Sequence, residues 1–445
     1  VFKFKNSQKA NPFCIMMPPP NVTGSLHMGH ALTFTLQDIL VRYYKKLGKN
    51  VLWQPGTDHA GIATEIIVEK KLNNQLGLSK KNIGRDKFLE KIWEWKNISG
   101  NKIIDQLNKL GTAVDWSISR FTLDEGLSES VKKVFIDLFN NNLIYQDNRL
   151  VNWDPVLETA VSDLEVNQKE INGKLWYINY KIKNSENYLT VATTRPETMF
   201  GDTAIAIHPK NNKLKEFIGK FAIIPFTNKT IPIIADEYAD PEKGSGAVKI
   251  TPAHDFNDFL VGKRHNLDFV NVFDKNAKLN KNSTDEFVGL DRNTARKKIL
   301  YSLKNQGLIE KEINQKMTVP VGDRSGTVIE PFMTLQWFVD SKKLCINVEK
   351  IIKKNQLIFF PSSWMKTFKH WIKKIEPWCI SRQIWWGHRI PVWYSNKGFK
   401  VAALNEKHAK EILKEKKPNE NISHQDEDVL DTWFSSALWP FSTLG

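Results

Sequence analysis

Apolar positions near the start of the chain follow two periodicities, which together predict a β-α-β unit. A short apolar run at residues 13–17 is typical of a buried strand, and residues 51–53 predict a second strand. The positions between them that recur at helical spacing, up to Gly48, are Leu26, Leu32, Leu36, Ile39, Leu40 and Tyr43. Because ligands of open α/β sheets bind at the carboxyl ends of strands, chemistry is expected in the turn after residue 17.

The pattern changes twice further along the chain. Residues 88–142 are helical in pattern, with an interruption at 111–120. From about Trp176 onward, short β-rich runs are separated by Asn, Gly and Pro, at residues 175–182, 188–192, 204–207, 221–225 and 246–250. After about Val319 tryptophans become frequent, from Trp337 to Trp439. The sequence therefore predicts an α/β protein that is interrupted by a compact β-rich domain.

Composition narrows the class of protein. Among 445 residues, 41% are hydrophobic and 25% are charged, which is typical of globular domains. There is no run of about 18 apolar residues, so no membrane span is expected. The three cysteines, Cys14, Cys345 and Cys379, form no CxxC pair, which favours neither a disulfide framework nor a cysteine zinc site and fits a reducing cytoplasm. The net charge of +15 fits a polyanionic partner, but it fits a general lysine bias equally well.

The first candidate site is the segment 18–30, Pro-Pro-Pro-Asn-Val-Thr-Gly-Ser-Leu-His-Met-Gly-His. Backbone amides at a helix start attract phosphate, and Gly29 would let a nucleotide approach the backbone. His27 and His30 lie three residues apart, so both can donate to charge that develops on a phosphate. An HxGH tetrapeptide alone is more often an incidental helix start. Its place after a strand, three prolines and Gly24 favours the phosphate site.

The second candidate site follows the second strand, at residues 53–64, Trp-Gln-Pro-Gly-Thr-Asp-His-Ala-Gly-Ile-Ala-Thr. The carboxylate of Asp58 could pair with the ammonium group of a substrate. A glycine-rich turn with a capping aspartate explains the same residues. This segment alone does not decide between the two interpretations.

Together these two segments resemble the valyl-tRNA synthetases, and the resemblance continues in the same order along nearly the whole chain. The further matching segments are residues 111–122, 151–166, 380–388 and 428–439. The isoleucine and leucine enzymes share this architecture. The sequences Pro-Pro-Pro-Asn-Val-Thr-Gly and Gly-Thr-Asp-His-Ala-Gly resemble those of the valine branch. Several long motifs in order are far more specific than any one of them.

The resemblance implies activation of valine by ATP with Mg²⁺, followed by transfer to tRNA(Val). It implies catalytic roles for His27 and His30, which with Gly29 would bind ATP. The residues that it implies for valine binding are Pro19, Asn21, Asp58, Trp386, Val429 and Trp433. Large rigid rings would close a small apolar pocket and reject longer side chains. Trp385, Trp393 and Trp439 are expected to be ordinary core residues.

The resemblance also implies an editing site that hydrolyses mischarged threonyl-tRNA. Its segments are 193–198, 201–203, 244–249 and 254–258, and the expected donors to the ester and the terminal ribose are Thr193, Arg195, Thr198 and Lys249. Asp255 and Asp258 would hold the ammonium and hydroxyl groups of threonine. A positioned water is expected to attack the ester, without a covalent nucleophile. Without the resemblance, Thr-Thr-Arg-Pro-Glu-Thr would be interpreted as a polar loop. His254 is assigned no role.

The implied architecture is a Rossmann-type nucleotide-binding domain with a parallel sheet, formed by residues 1–155 and 325–445 and interrupted by a β-rich editing domain at 156–324. The sequence contains no Lys-Met-Ser-Lys-Ser motif and no initiator Met, which predicts a part of a longer chain. This part is expected to edit but to activate valine poorly, because half of the ATP machinery that the resemblance implies is missing from it. A monomeric cytoplasmic ligase is expected. Two alternatives remain open at this point, a stand-alone tRNA-editing hydrolase and a non-catalytic tRNA-binding protein descended from a synthetase.

Overall fold

The computed structural model describes Lys3, residues 11–354 and residues 356–444. Most of the residues before Asn11, where the sequence predicts no secretory signal, lie outside the described part. The chain forms two compact units. The first unit comprises residues 1–146 and 337–445, and the second comprises residues 147–336.

Helices and strands are numbered in chain order. Up to the end of the first segment they are β1 Pro12–Met16, α1 Met28–Lys46, β2 Asn50–Gln54, β3 Gly56–Thr57, α2 Gly61–Leu76, α3 Lys80–Ile83, α4 Arg85–Leu110, β4 Arg120–Phe121, α5 Glu125–Asn140 and β5 Ile144–Asp154. In the middle of the chain they are β6 Thr159–Val161, β7 Val166–Ile182, β8 Tyr188–Thr193, β9 Ala204–Ile207, β10 Phe221–Ile223, β11 Thr230–Ala235, β12 Ala247–Ile250, α6 Phe256–Arg264, α7 Arg292–Asn305, β13 Ile309–Gly322 and β14 Glu330–Val339. The remaining elements are α8 Ser341–Lys353, α9 Trp364–Lys373, β15 Trp378–Cys379, β16 Ser381–Arg382, β17 Val392–Ser395, β18 Lys400–Ala402, α10 Glu406–Lys416, β19 Ile422–Gln425, β20 Val429–Leu430, α11 Thr432–Ala437 and α12 Trp439–Ser442.

The predicted β-α-β unit is confirmed at the start of the first unit. Strands β1 and β2 are parallel and paired from Pro12↔Asn50 to Met16↔Gln54, with α1 connecting them. The hydrogen bond from Met17 N–H to the Gln54 carbonyl extends the pairing by one step. A connection of this kind between parallel strands requires a crossover, which the helix supplies. The two loops that carry the candidate chemistry therefore leave the same edge of the strand pair.

Helix α1 is where the sequence led us to expect it, but it does not bury its most hydrophobic side. Its buried side chains are Phe34 and Val41, which pack with Met17, Trp53 and Ile103. Of the six apolar residues whose spacing predicts the helix, Leu26 lies before it and is partly buried, and five are exposed by 44% or more: Leu32, Leu36, Ile39, Leu40 and Tyr43. The periodicity of the apolar residues thus predicted the helix correctly, but it did not predict which face of the helix packs against the rest of the unit.

The later part of the first unit has its own core. Trp337, Phe135 and Phe434 meet there, with the ring centroids of Phe135 and Trp337 6.0 Å apart. Helix α5 contributes Phe135 and begins at Asp124, whose carboxylate accepts the Leu127 N–H at 2.9 Å. An N-cap of this type satisfies one of the amides that a helix start leaves unpaired. The helix break predicted at 111–120 lies between α4 and α5.

The second unit is β-rich, as its sequence pattern predicts. Its sheet runs in the order β12-β9-β11-β10-β7-β13, with β8 paired to β7. Strands β9 and β11 are parallel, and the other printed pairs are antiparallel. The core beneath it includes Ile178, Val191, Phe200, Phe287 and Ile299. The predicted runs 188–192, 204–207 and 246–250 coincide with β8, β9 and β12 to within a residue or so.

Strand β13 was not predicted from the sequence. It pairs with β7 over a long register from Ile309↔Ile178 to Gly322↔Val166, but most of its side chains are exposed. Cross-strand ion pairs replace the usual apolar alternation, with Lys174 Nζ 2.9 Å from Glu312 and Lys316 Nζ 2.9 Å from Glu170. A two-sided polar strand has no apolar period to detect.

No helix in the described part of the chain is both long enough and apolar enough to cross a membrane.

Candidate functional sites

In the first unit, the two segments singled out from the sequence lie side by side. Asn21 and Asp58 form a parallel bridge. The Val22 N–H donates to the Asp58 carbonyl at 3.0 Å, and the Asp58 N–H donates to the Pro20 carbonyl at 2.9 Å. Pro19 is half-buried just before this crossing, while Asn21 is exposed. The proline loop and the Gly-Thr-Asp loop are therefore one structural feature, and Asp58 lies at its centre.

The carboxylate of Asp58 is buried, with 3% of the residue exposed. One oxygen accepts the Ala60 N–H at 2.7 Å, and the other accepts the Ser436 hydroxyl at 3.2 Å. Burial raises the pKa of Asp58 to about 7, against the lowering effect of these two hydrogen bonds, and the carboxylate of Asp431 raises it further. A buried carboxylate held at this pKa gains strongly from a cationic partner.

Ala60 gives the loop its sharp turn. It has a left-handed backbone, φ 50° and ψ 53°, and helix α2 starts directly after it. The Gly61 N–H at that start donates to the hydroxyl of Thr432 at 2.9 Å. Thr432 and Ser436, both on α11, thus hold the Asp58 loop from a distant part of the sequence. Their motif was quoted for its resemblance, but these two hydroxyls were not assigned to the site.

The two histidines of the HMGH motif form a reciprocal cap at the start of α1. His27 Nδ1 accepts the Gly29 N–H at 3.1 Å, and His30 Nδ1 accepts the His27 N–H at 3.3 Å. Their ring centroids are 3.9 Å apart. Because Nδ1 is the acceptor in both neutral rings, the proton of each ring belongs on Nε2. Each ring can therefore offer an Nε2–H donor.

The surroundings act on His30 and hold the two rings close together. Burial lowers the pKa of His30, and the neighbouring His27 lowers it further. A Cβ on Gly29 would lie 2.9 Å from Cε1 of His27, so a side chain at that position would displace the ring. The helix start adds the positive end of its dipole. Two donors and a positive helix end at an exposed position suit an anionic group such as phosphate.

The proline loop, which runs from residue 18 to His27, is anchored by helix α4. The Trp95 indole donates to the Val22 carbonyl at 2.9 Å, and the Gln106 side chain accepts the Leu26 N–H at 2.9 Å. Neither anchor was predicted, because α4 reads in the sequence as an ordinary amphipathic helix. The histidine pair therefore lies at the far end of an anchored loop that crosses the Asp58 loop at residues 20–22.

The predicted pocket residues differ in how they are placed. Trp386 is 2% exposed, and its indole donates to the His59 carbonyl at 2.8 Å, directly beside Asp58. Val429 is fully buried, and a Cβ on Gly387 would lie 3.1 Å from its Cγ2. Trp433 is 60% exposed at the start of α11, one residue after Thr432. Trp386 thus lies against the Asp58 loop, Val429 is buried next to Gly387, the residue after Trp386, and Trp433 offers an open ring one residue after Thr432.

In the second unit, the residues assigned to editing gather around the loop 193–202 and strand β12. The Thr193 hydroxyl accepts the Arg195 N–H at 3.0 Å, and the Thr198 hydroxyl donates to the Arg195 carbonyl at 3.0 Å. Lys249 Nζ donates to Thr198 Oγ1 at 2.9 Å. The Arg195 guanidinium reaches the His254 carbonyl at 3.3 Å, next to Asp255. The segments are therefore contiguous in space.

The two aspartates of this site are both partly engaged. Asp255 caps helix α6 by accepting the N–H groups of Asn257 and Asp258. Asp258 accepts the Thr251 N–H at 2.8 Å, and burial together with the Asp255 charge raises its pKa to about 7. The phenol of Tyr238 lies near this pair. Burial, and after it the charges of Asp258 and Asp255, raise its pKa. Tyr238 was not anticipated.

Two of the expected donors are used within the protein. Arg195 pairs with Glu330 and, at 3.3 Å, with Glu197. Arg296 binds Glu197 through two contacts of 2.7 Å, and Arg292 contacts Glu330 at 2.6 Å. Buried charges require such partners. Arg195 and Lys249 therefore bind other side chains of the unit, and the role of direct donor that the resemblance implies for them stays a prediction.

Residues 1–445 match the family described as tRNA synthetases class I (I, L, M and V). The chain belongs to the class I tRNA synthetases. The resemblance found in the sequence is thereby confirmed, and the mixed α/β architecture agrees with membership of this family.

Relatives with a curated name place this class I tRNA synthetase chain near the valine enzymes. It is 55% identical to a valine--tRNA ligase of Pelagibacter ubique over 442 residues, covering 99% of this chain and 50% of that protein. It is 50% identical to the valine--tRNA ligase of Caulobacter vibrioides, with 100% and 51% covered. For the Legionella pneumophila strain Paris enzyme of the same name the identity is 52%, with 99% and 48% covered. The chain spans about half the length of the curated relatives that it matches.

One solved structure of another protein is similar to this class I tRNA synthetase chain. It is the ternary complex of LeuRS, tRNA and LeuAMS from Agrobacterium radiobacter K84, with a TM-score of 0.47 and 17% identity over 100% of this chain and 57% of that one.

Proposed function

We propose that this chain is part of a valine--tRNA ligase that activates valine with ATP, transfers it to tRNA(Val), and hydrolyses threonyl-tRNA at a second site. The observation that carries the first half is the Asp58 carboxylate, buried where the two loops cross and bonded to Ser436. The names of relatives at about half sequence identity support valine as the amino acid.

Asp58 would pair with the ammonium group of valine. Its raised pKa reflects a buried acid without a full complement of cationic partners, and an ammonium at hydrogen-bond distance would supply one. Pro19, Asn21, Trp386, Val429 and Trp433 would surround the side chain of valine. Trp433 and Asn21 are the members of this set that are exposed and can meet a ligand without rearrangement. A small apolar pocket of this kind rejects longer side chains by overpacking.

His27 and His30 would stabilise the α-phosphate of ATP as valine attacks it. The bond from the valine carboxylate to the α-phosphorus forms while the bond to pyrophosphate breaks. Nε2–H donors fixed by the reciprocal cap favour the charge that develops on the phosphate oxygens. Gly29 would leave room for the nucleotide. Mg²⁺ would accompany ATP and be held mainly by its phosphates.

The second site would compensate for the limited selectivity of the first site for valine over threonine. Valine and threonine are nearly isosteric, so an apolar pocket discriminates weakly against the added hydroxyl, and this enzyme family is itself the standard illustration of that limit. A polar site that accepts threonine can remove the error. Asp255 and Asp258 would bind the ammonium and hydroxyl groups of threonine. Thr193 and Thr198 would orient the ester for attack by water, with Arg195 and Lys249 holding them in place.

We assign residues 1–155 and 325–445 to a Rossmann-type nucleotide-binding domain with a parallel sheet, and residues 156–324 to the inserted editing domain. The parallel pair β1–β2 with its helical crossover supports the first assignment. The polar cluster around β12 supports the second. The enzyme would work as a monomer in the cytoplasm, the compartment in which tRNA is charged.

Two assays on the 445-residue chain test the proposal. Valine-dependent exchange of pyrophosphate into ATP measures activation, and release of threonine from threonyl-tRNA measures editing. His27→Asn with His30→Asn should abolish exchange and leave hydrolysis intact, whereas Asp258→Asn should do the reverse. Hydrolysis without any exchange would favour the alternative of a tRNA-editing hydrolase. Exchange that prefers isoleucine to valine would refute the substrate.

A further inference from the structure

Lys249 is the centre of a buried polar cluster in the second unit. Its ammonium donates to Thr198 Oγ1 at 2.9 Å, to Asp202 Oδ1 at 2.8 Å and to the hydroxyl of Thr251. Only 8% of its side chain is exposed. A lysine ammonium has three N–H bonds, so these acceptors use all of them. Lys249 can therefore act on a ligand only through its neighbours.

Asp202 is the anion that balances this ammonium. Its side chain is completely buried. The oxygen that accepts from Lys249 also accepts the Thr251 hydroxyl at 2.7 Å, and the other oxygen accepts the Tyr180 phenol at 2.7 Å. Tyr180 is itself fully buried. Since a buried ion pair is favourable only when its remaining hydrogen bonds are satisfied, Tyr180 completes the pair from the side away from Lys249.

The cluster touches the proposed hydrolytic site at two points. Thr198, which receives the first Lys249 bond, also donates to the Arg195 carbonyl in the Thr-Thr-Arg-Pro-Glu-Thr loop. Thr251, which receives the third, donates its backbone N–H to Asp258 at 2.8 Å. A displacement of the ammonium would therefore move a loop hydroxyl and one of the two site carboxylates at the same time.

We propose that Asp202, held by Tyr180, is a positioning residue of the hydrolytic site: it fixes the Lys249 ammonium, which in turn sets the positions of Thr198 and Thr251. The inference rests on the proposed hydrolysis of threonyl-tRNA. It assigns to Asp202 a role in the rate of that reaction without any contact with the substrate. Small displacements of groups that orient a reaction cost rate more than they cost binding.

A double-mutant cycle on the 445-residue chain tests this role, with Asp202→Asn, Lys249→Met and the two combined. The asparagine keeps the shape of Asp202 and removes its charge. We expect Asp202→Asn to lower kcat for threonyl-tRNA hydrolysis by about tenfold or more, with KM changed by no more than about twofold. In the Lys249→Met background the same change should cost no further rate, because the ammonium that Asp202 holds is gone.

Stability separates positioning from folding. The thermal midpoint of each variant is measured beside its kinetics. Lys249→Met alone leaves a buried carboxylate unpaired and should have the lowest midpoint, whereas the combined variant should recover part of it. The matched control is Asp154→Asn, which removes another buried carboxylate of the same unit, one that accepts the N–H groups of Val156 and Leu157 at 3.0 Å rather than a hydrogen bond from the Lys249 cluster. It should leave kcat unchanged.

Specific results would overturn the inference. Wild-type kcat in Asp202→Asn would do so, as would an equal loss of rate from this change with and without Lys249. If Asp202→Asn does not fold, Tyr180→Phe decides, since it removes one hydrogen bond from Asp202 and should lower kcat by about two- to tenfold. An unchanged rate there would also refute the inference. A wild-type chain that leaves threonyl-tRNA intact would overturn the proposed function itself, which distinguishes the two failures.

Discussion

The affinity for valine should depend on pH through Asp58. Burial, and after it the charge of Asp431, raise the pKa of this carboxyl to about 7, while the bonds from Ala60 and Ser436 oppose the shift. A carboxyl with a raised pKa is protonated below that value, so its ion pair with an ammonium is lost as the pH falls through 7. The ammonium of valine stays charged over the same range. Valine should therefore bind more weakly in acid.

The size of the effect follows from the ionised fraction. With a pKa of about 7, Asp58 is about 9% ionised at pH 6 and about 91% ionised at pH 8. Because the apparent dissociation constant is the intrinsic one divided by the competent fraction, it should rise about tenfold from pH 8 to pH 6. This corresponds to about 1.4 kcal/mol of binding free energy.

Equilibrium dialysis of labelled valine, without ATP, measures this directly between pH 6 and pH 8. Asp58→Asn should bind weakly and with no pH dependence. Ser436→Ala removes a hydroxyl that stabilises the ionised carboxylate. It should therefore raise the pKa of Asp58 and move the midpoint of the binding curve to higher pH. A dissociation constant that is flat across this range in the wild-type chain, or the same slope in Asp58→Asn, would refute the reasoning.

Three further outcomes follow from the packing. Gly56→Ala would place a Cβ 2.2 Å from Cη2 of the buried Trp439 and 2.4 Å from a backbone oxygen, so it should lower the free energy of unfolding by about 3 kcal/mol or more in chemical denaturation, and an unchanged midpoint would contradict this contact. Gly29→Ala would place a Cβ against the ring of His27, which can move aside, so pyrophosphate exchange should fall while the melting temperature stays within a degree or so. A large fall in the melting temperature as well would argue against this interpretation of the contact. Arg296→Met removes both 2.7 Å contacts to the buried Glu197, which keeps Arg195 at 3.3 Å, and should cost about 2 kcal/mol, whereas Lys174→Met at an exposed pair should cost less than about 1 kcal/mol. Similar costs for the two variants would show that burial does not control these pairs.

Much of the first site was accessible from the sequence because its parts are local. The strand, the prolines, Gly24 and the HMGH motif lie in one continuous segment, and a helix start must leave amides for an anion. The same holds for the Gly-Thr-Asp turn after the second strand. These motifs identified His27, His30 and Asp58, and the parallel pairing of β1 and β2 brings their loops out at one edge.

Contacts over long sequence distances could not be anticipated in this way. Ser436 and Thr432 reach the Asp58 loop from more than 370 residues away, and the sequence carries no local signal of that approach. The same limit applies to burial. Helix α1 was predicted from apolar residues that turn out to be exposed, because periodicity fixes a face of a helix and only its neighbours decide whether that face is covered.

The second site shows the division most clearly. The sequence by itself supplied the residue types of a polar, acidic site: Thr193, Thr198, Lys249, Asp255 and Asp258. The tertiary structure decided which of them keep free donors, because a buried ammonium must find acceptors wherever the fold places them. Lys249 finds three, so its N–H groups are all used within the protein. Chemical identity is local to the chain, whereas the hydrogen-bond balance of a buried charge belongs to the fold as a whole.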